Sequence, residues 1–354
     1  MRLEEFGWNP EYRETYEQIW AHGQGHPPGG MEPGRVRLAR QGSCVLFTAR
    51  GEVDATVAGR LSQAGEVRPI VGDWVVFSPA NHRVEAVLPR RGEIARRRPG
   101  AKAEPQVLAA NVDVLLAVSA FGRDFSPRRV ERYLVLAGQS GAAPVVVVNK
   151  VDECADPAAA LRQLRTAAGS APVVLMSALS ALGLDDLLLH IQPAQTAALV
   201  GSSGVGKSTI INRLLGEERQ SVGALGEANR RGRHTTTDRE LFVLPGGQLL
   251  IDTPGLRELQ LWGPAESAEA SFLDIAGLAR GCRFRDCRHQ GEPGCAVAAA
   301  VERGALEACR LENFHKIGRE LRRIERQGDD WAAFEERRRM KRIHRQYRKV
   351  PHRE

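Results

Sequence analysis

The chain has 354 residues, long enough for two or three domains, and its 42% hydrophobic content can build ordinary cores. A formal net charge of +7 favours a polyanionic partner. No apolar stretch approaches the ~18 residues of a membrane span, and the start Met1-Arg-Leu-Glu-Glu-Phe-Gly-Trp8 lacks the basic end and apolar run of a signal peptide, so a cytoplasmic protein without membrane contact is expected.

Residues 1–34 carry a short amphipathic segment and end in Gly23-Gln-Gly-His-Pro-Pro-Gly-Gly30, which predicts a weakly ordered N-terminal tail. Residues 35–100 switch to short β-forming runs such as Val45-Leu-Phe-Thr48 and Trp74-Val-Val-Phe77 between glycine-rich turns. Their number and spacing fit a small OB-type barrel, a fold that presents its face to nucleic acid, although periodicity does not separate it from an SH3-like barrel. Over residues 101–262, strand runs at Asn111 to Ala120, Pro144 to Asn149, Ala171 to Met176 and Thr196 to Val200 alternate with helical spacing at Pro127 to Gln139, Asp156 to Ala168 and Leu184 to Ile191. That alternation predicts a parallel sheet covered by helices. Residues 263–354 turn to Cys, His and Arg, then to helices at Ala296 to Glu302 and Ala305 to Gln327. The fold class read from this is an α/β multidomain protein with an N-terminal barrel and a helical, metal-binding C-terminal domain.

Gly201-Ser202-Ser203-Gly204-Val205-Gly206-Lys207-Ser208 follows an apolar strand and opens a helix through Thr209 and Ile210, the required setting of a P-loop. Backbone N–H groups of the loop face phosphate, Lys207 reaches the β- and γ-oxygens, and Ser208 ligates Mg²⁺. Asn149-Lys150-Val151-Asp152 ends a strand and has the residue types that read guanine, since the Asp152 carboxylate can accept the N1 and N2 hydrogens that adenine lacks. Ser177-Ala178, one strand later, matches the weaker motif that closes over the guanine oxygen. Asp252-Thr-Pro-Gly255 ends the strand Gln248 to Ile251 and places a carboxylate for Mg²⁺. Gly232-Arg-His-Thr-Thr-Thr237 lies where a switch segment must supply a metal-ligating threonine, for which Thr236 is the favoured candidate. Leu256 stands where many GTPases carry a water-orienting glutamine, so His234 beside those threonines is the candidate catalytic group.

The motif order is circularly permuted: the guanine motifs precede the P-loop, and the chain leaves the second switch directly into the C-terminal domain. A P-loop kinase would share Gly201 to Ser208 but is disfavoured by the guanine motif. A slowly turning RNA-binding switch is the other alternative. Cys282, Cys287, His289 and Cys295 group three thiols and an imidazole within fourteen residues, a closed tetrahedral set for one structural Zn²⁺. Basic residues crowd Arg90, Arg91, Arg96 to Arg98 and Lys102, and again Arg337 to Lys349, as phosphate-contact candidates.

Taken together with Val71-Gly-Asp-Trp-Val75, Ala109-Ala-Asn-Val-Asp113 and Glu292-Pro-Gly-Cys-Ala-Val297, these motifs resemble the ribosome small-subunit-dependent GTPase A family (RsgA/YjeQ) over nearly the whole chain, least so in the first thirty or so residues. The resemblance implies an OB-fold, a permuted GTPase domain and a zinc domain. Together they would bind the 30S subunit and its 16S rRNA in late assembly, with hydrolysis of GTP to GDP and phosphate, using Mg²⁺, stimulated by that subunit. A monomer is expected.

Overall fold

The structure is a computed structural model and describes residues 2–21, 30–62, 67–97, 105–122, 125–216, 239–252, 261–262 and 267–347. The chain forms two compact units, residues 1–95 with 107–259, and residues 96–106 with 260–354.

The first unit begins with a 3₁₀ turn, Leu3–Phe6, and helix α1, Pro10–Ala21. This part of the expected tail is packed, which corrects the reading of weak order. Phe6, Trp8 and Tyr12 are buried, Phe6 stacks on Phe47 at 4.5 Å, and Trp8 meets Trp74 edge-on at 4.7 Å. Three aromatic side chains in twelve residues carry enough apolar area to dock a segment whose glycine-rich end alone suggested a tether.

Strands β1 (Glu32–Arg40), β2 (Ser43–Thr48), β3 (Gly51–Val57), β4 (Trp74–Ser78) and β5 (Arg83–Val87) follow the order β1-β2-β3-β5-β4, with β4 closing on β1. The β3–β5 contact is parallel and the others antiparallel. That parallel closure is the OB arrangement and removes the SH3-like alternative. Val36, Leu46, Ala55, Val75, Phe77 and Val84 fill the barrel. Strands β6 (Glu93–Arg97) and β7 (Pro105–Ala110) come next in the chain.

The α/β part contains β8 (Val114–Ala120), α2 (Pro127–Ser140), β9 (Ala143–Asn149), α3 (Pro157–Ala168), β10 (Val173–Leu175), α4 (Leu184–Leu188), β11 (Thr196–Gly201), α5 (Lys207–Leu215), β12 (Glu240–Val243) and β13 (Leu249–Asp252). Helix α3 starts where Asp156 accepts the Ala159 N–H at 2.9 Å and Pro157 takes the first turn. Helix α2 stops at Gly141, which adopts the left-handed conformation. The sheet order is β10-β9-β8-β11-β13-β12. Its pairs are parallel except β12–β13. Each expected strand is present, and β12 is an addition too short to announce itself by periodicity. Through Leu38↔Glu240, β12 also pairs with β1, so barrel and α/β part share one sheet.

A polar seam joins them. Gly72 needs its positive φ of 86°, and a Cβ there would lie 2.2 Å from the Ala110 carbonyl oxygen. The Asn111 side chain donates to Gly72 O at 3.0 Å and accepts from Arg91 N at 2.9 Å. Arg35, itself buried, donates to Phe6 O, Asn111 O and the Thr196 hydroxyl. Asp73 is a buried partner of Arg90, with contacts of 2.8 and 2.9 Å, and Arg91 pairs with Glu11 at 3.3 Å. These two arginines of the first basic run therefore serve internal ion pairs.

The second unit holds α6 (Ser267–Ser271), α7 (Leu273–Ala279), α8 (Ala296–Glu302) and α9 (Ala308–Tyr347). Helix α8 has the expected bounds, whereas α9 runs on past Gln327. Buried Arg310 clamps Asp274 at 2.5 and 2.9 Å and lies over the Phe272 ring. Among the described residues no helix is long and apolar enough to cross a membrane.

Replacing Trp8 by Ala should destabilise the first unit by about 3–5 kcal/mol, the usual loss for a buried tryptophan. Removing Arg13, whose exposed pair with Glu4 spans 3.6 Å, should cost under ~1 kcal/mol. Urea unfolding followed by tryptophan-independent circular dichroism compares the two.

Candidate functional site

Parallel pairing aligns the strand ends that carry the motifs. Ala120 lies beside Asn149 and Val118 beside Gly201, and Ile251 pairs with Ala198. Hence Asn149, Gly201 and Asp252 leave the sheet at one carboxyl edge, where open α/β sheets bind ligands.

The P-loop connects β11 to α5. Gly206, with φ 93°, must lack a Cβ because one would sit 2.3 Å from Asn149 Nδ2. The Lys207 ammonium donates to Gly201 O and Ser202 O, both at 2.7 Å, so it arches over its own loop. Arg129 donates to the Ser202 hydroxyl at 2.5 Å. Ser203 and Gly204 are exposed at the tip, Val205 is buried beneath it, and Gly206, Lys207, Ser208 and Thr209 are half-buried along the opening turn of α5.

Asn149 is the joint of the site. Its side chain is buried, donates from Nδ2 to Val205 O at 2.8 Å, and accepts the Ala178 N–H on Oδ1 at 2.9 Å. One amide thus links the first guanine motif, the second guanine motif and the P-loop. Lys150 follows in the left-handed conformation, with φ 63°, and Val151–Glu153 form a 3₁₀ turn that leaves Asp152 exposed to solvent. Val151 N donates to Met176 O at 3.1 Å, tying that turn to the strand before Ser177. Ser177 and Ala178 are buried. Arg213 of α5 donates to Ala178 O at 3.0 Å and Leu179 O at 2.7 Å, supporting the same loop from the P-loop helix. The sequence reading did not single out Arg129 or Arg213; their spacing carries no motif, and only the fold brings them to the loops.

Ser208 and Asp252, the Mg²⁺ candidates, lie on elements that leave the same edge. His234 and Thr236 lie outside the described residues, as do Thr253 to Gly255.

In the second unit, Cys282, Cys287, His289 and Cys295 place their ligand atoms within 4.8 Å of one another. Cys282 Sγ and Cys295 Sγ are 4.0 Å apart, and His289 Nδ1 lies 3.6 and 3.4 Å from them. A tetrahedron with Zn–S of about 2.3 Å and Zn–N of about 2.0–2.1 Å has edges of about 3.8 and 3.6 Å. The spacing therefore fits a metal such as zinc. Desolvation pushes the Cys282 thiol up, but the N–H groups of Ala296 and Val297 outweigh it and hold it below the ordinary thiol range. Cys287 is pushed up to about 12, by desolvation and then by the adjoining thiols. A divalent cation resolves that crowding by replacing the protons. Desolvation, then His315, lowers His289, which favours the neutral imidazole a ligand needs.

Residues 87–262 match the profile of the RsgA GTPase family. A protein of Opitutus terrae named small ribosomal subunit biogenesis GTPase RsgA is 45% identical, covering 97% of this chain and 96% of its own length. A protein of the same name from Syntrophotalea carbinolica is 41% identical over 98% and 97%. The crystal structure of YjeQ from Thermotoga maritima matches with a TM-score of 0.64 at 26% identity, covering 82% of this chain and 99% of that one. The crystal structure of YloQ, a circularly permuted GTPase, matches in fold with a TM-score of 0.59 at 24% identity over 85% and 98%.

Changing Asn149 to Ala strands the Val205 carbonyl and the Ala178 N–H in a buried setting, with an expected cost of about 2–4 kcal/mol. Affinity for fluorescently labelled GDP should fall on the order of tenfold or more, because both loops lose their common support. Denaturation and equilibrium titration of the same preparation test the two effects.

Proposed function

The chain belongs to the RsgA GTPase family, and from that premise we propose that it binds the small ribosomal subunit through 16S rRNA during late assembly and hydrolyses GTP to GDP and phosphate under the subunit's stimulation. The observation that carries this reading is the Asn149 amide, which joins two guanine-reading loops to a P-loop in permuted order. The names of the relatives supply the ribosomal context. An OB barrel and an arginine-rich C-terminal unit supply faces suited to RNA.

In this proposal Asp152 accepts the guanine N1 and N2 hydrogens, and the Ser177-Ala178 turn closes over the guanine oxygen. The backbone of Gly201 to Thr209 cradles the phosphates, and the Lys207 ammonium transfers from its own loop carbonyls to phosphate oxygens. Ser208, Thr236 and Asp252 would hold Mg²⁺, which neutralises phosphate charge when bound. His234 orients or deprotonates the attacking water, the part that Leu256 cannot play. Cys282, Cys287, His289 and Cys295 hold one structural Zn²⁺. We divide the chain functionally into a tail to residue 34, a barrel to 100, a GTPase domain to 262 and a zinc domain beyond. The protein would act as a monomer in the cytoplasm, where small subunits assemble.

Turnover of GTP and ATP, with and without purified small subunits, tests the reading directly; GTP hydrolysis should rise with subunits, and ATP hydrolysis should not. A site that reads guanine by hydrogen bonds rejects the wrong base by roughly 10⁴-fold, so equal use of ATP refutes it. Asp152→Asn should weaken GTP and improve xanthosine triphosphate, whose C2 carbonyl accepts from the new amide; competition binding reads the exchange. His234→Ala should keep GTP and subunit binding but lose about 10²-fold or more of the stimulated rate. Stimulated turnover within a few-fold of the unaltered protein would return His234 to a structural part.

A further inference from the structure

The loop that carries the four metal ligands also displays an aromatic ring. Phe284 is 43% exposed, an aromatic side chain in the group of exposed large hydrophobics. A single exposed apolar side chain is ordinary on a protein surface, so its surroundings decide whether it serves as a contact. Its neighbours indicate the chemistry. The Arg283 guanidinium lies over the ring, 5.4 Å from its centroid, and Arg280, Arg285 and Arg288 lie within the same nine residues. Within the loop Asp286 and Glu292 oppose them, Glu269 lines the adjoining cavity, and the Glu292 carboxylate is already committed, accepting the Arg288 N–H at 3.0 Å and the Gln290 N–H at 2.7 Å.

Phe284 also lines a cavity of about 180 Å³, bounded further by Arg285, Glu269, Ile275, His289 and Phe314. Phe314 is fixed there by edge-on contact with Phe272 at 5.5 Å. The cavity is smaller than the ~300 Å³ at which pockets for drug-sized ligands begin; three of its nine lining residues are rings, Phe284, Phe314 and the candidate metal ligand His289, and aliphatic side chains, Cys287, one carboxylate and one guanidinium complete it. This suits a single planar heterocycle that carries both donors and acceptors. The surrounding arginines suit a phosphate chain attached to it.

We propose that the Phe284 cleft receives one unpaired nucleobase of RNA, stacked on the Phe284 ring, while Arg283 and Arg285 meet the flanking phosphates. The proposal rests on the ribosomal RNA reading above and adds to it a place and a form of RNA. Duplex RNA keeps its base faces stacked inside the helix, so this cleft selects single-stranded segments or bulges.

The test uses the full-length protein and a labelled twelve-nucleotide single strand without self-pairing, with the matching duplex as control, over a range of potassium chloride concentrations. The unaltered protein should prefer the single strand. Phe284→Ala should bind the strand about 5- to 100-fold more weakly, the loss a single stacked base brings, with no change in the slope of log affinity against log salt. Phe284→Trp should restore binding, and Arg285→Ala should reduce that slope by about 0.7, one phosphate contact on a single strand. A 2-aminopurine in the strand should be quenched by the unaltered protein and not by Phe284→Ala. Metal content and GTP binding of each variant report that it is folded. Single-strand affinity of Phe284→Ala within twofold of the unaltered protein overturns the stacking proposal and leaves RNA binding standing. Failure of the unaltered protein to bind either the strand or small subunits overturns both readings.

Discussion

Everything at the nucleotide edge depends on one buried amide. Backbone pairing brings the guanine loop, the Ser177-Ala178 turn and the P-loop to one edge, and the Val151 N–Met176 O bond ties the first two. Asn149 links all three through one side chain, because a primary amide carries a donor and an acceptor on one rigid plane. Its Nδ2 meets Val205 O and its Oδ1 meets Ala178 N. Aspartate would lose the donor, and glutamine would add a methylene where Gly206 already leaves no room for a Cβ. The same demand accounts for two motifs at once: the glycine of the P-loop and the asparagine of the guanine motif are shaped against each other. Permuting the chain leaves that contact intact, since a hydrogen bond is indifferent to the order in which its partners were synthesised.

The barrel is joined to the α/β part by a second polar contact set of a different character. Arg35 is buried, with its guanidinium bonded to the Phe6 and Asn111 carbonyls and the Thr196 hydroxyl and stacked toward Trp74 at 5.4 Å. Burial lowers its pKa, with Tyr12, Asp113 and Asp73 acting against that. A cation placed on carbonyl oxygens contributes less stability than a well-packed apolar seam would. It does impose one arrangement of the N-terminal 3₁₀ turn, the barrel and the first residue of the P-loop strand. The Val71 to Val75 and Ala109 to Asp113 motifs lie on the two sides of this seam, and Asn111 crosses it with both ends of its side chain.

Much of this was legible beforehand because the signals are local. A P-loop declares itself by spacing, Cys282 to Cys295 by ligand type, and the α/β order by the switch from period two to helical period. The parts that escaped are those settled by distant partners. Trp8 and Tyr12 read as a tail until Trp74 is placed beside them. Glu240–Val243 is too short for a pattern and becomes a strand by pairing with β13 and, at Glu240, with β1. Arg90 and Arg91 read as free basic charge because Asp73 and Glu11 lie far away in sequence. Helix α9 continues through Gly328, the residue directly after its expected end at Gln327, and no proline intervenes before Tyr347.

The pairing of Leu38 with Glu240 has a consequence for how the molecule is made. Strand β1 closes the barrel through β2 and β4 within the first eighty residues, but its remaining edge waits for β12, some two hundred residues later. A ribosome adding about 5–20 residues per second needs on the order of 10–40 s to supply that partner. During this interval the nascent barrel offers a strand edge near Leu38 to whatever is nearby, and Arg37, later paired with Glu52 and Glu240, stands on that edge. A charge at an open edge discourages pairing with a foreign strand. The same arginine that fastens the finished sheet thus guards the unfinished one during synthesis.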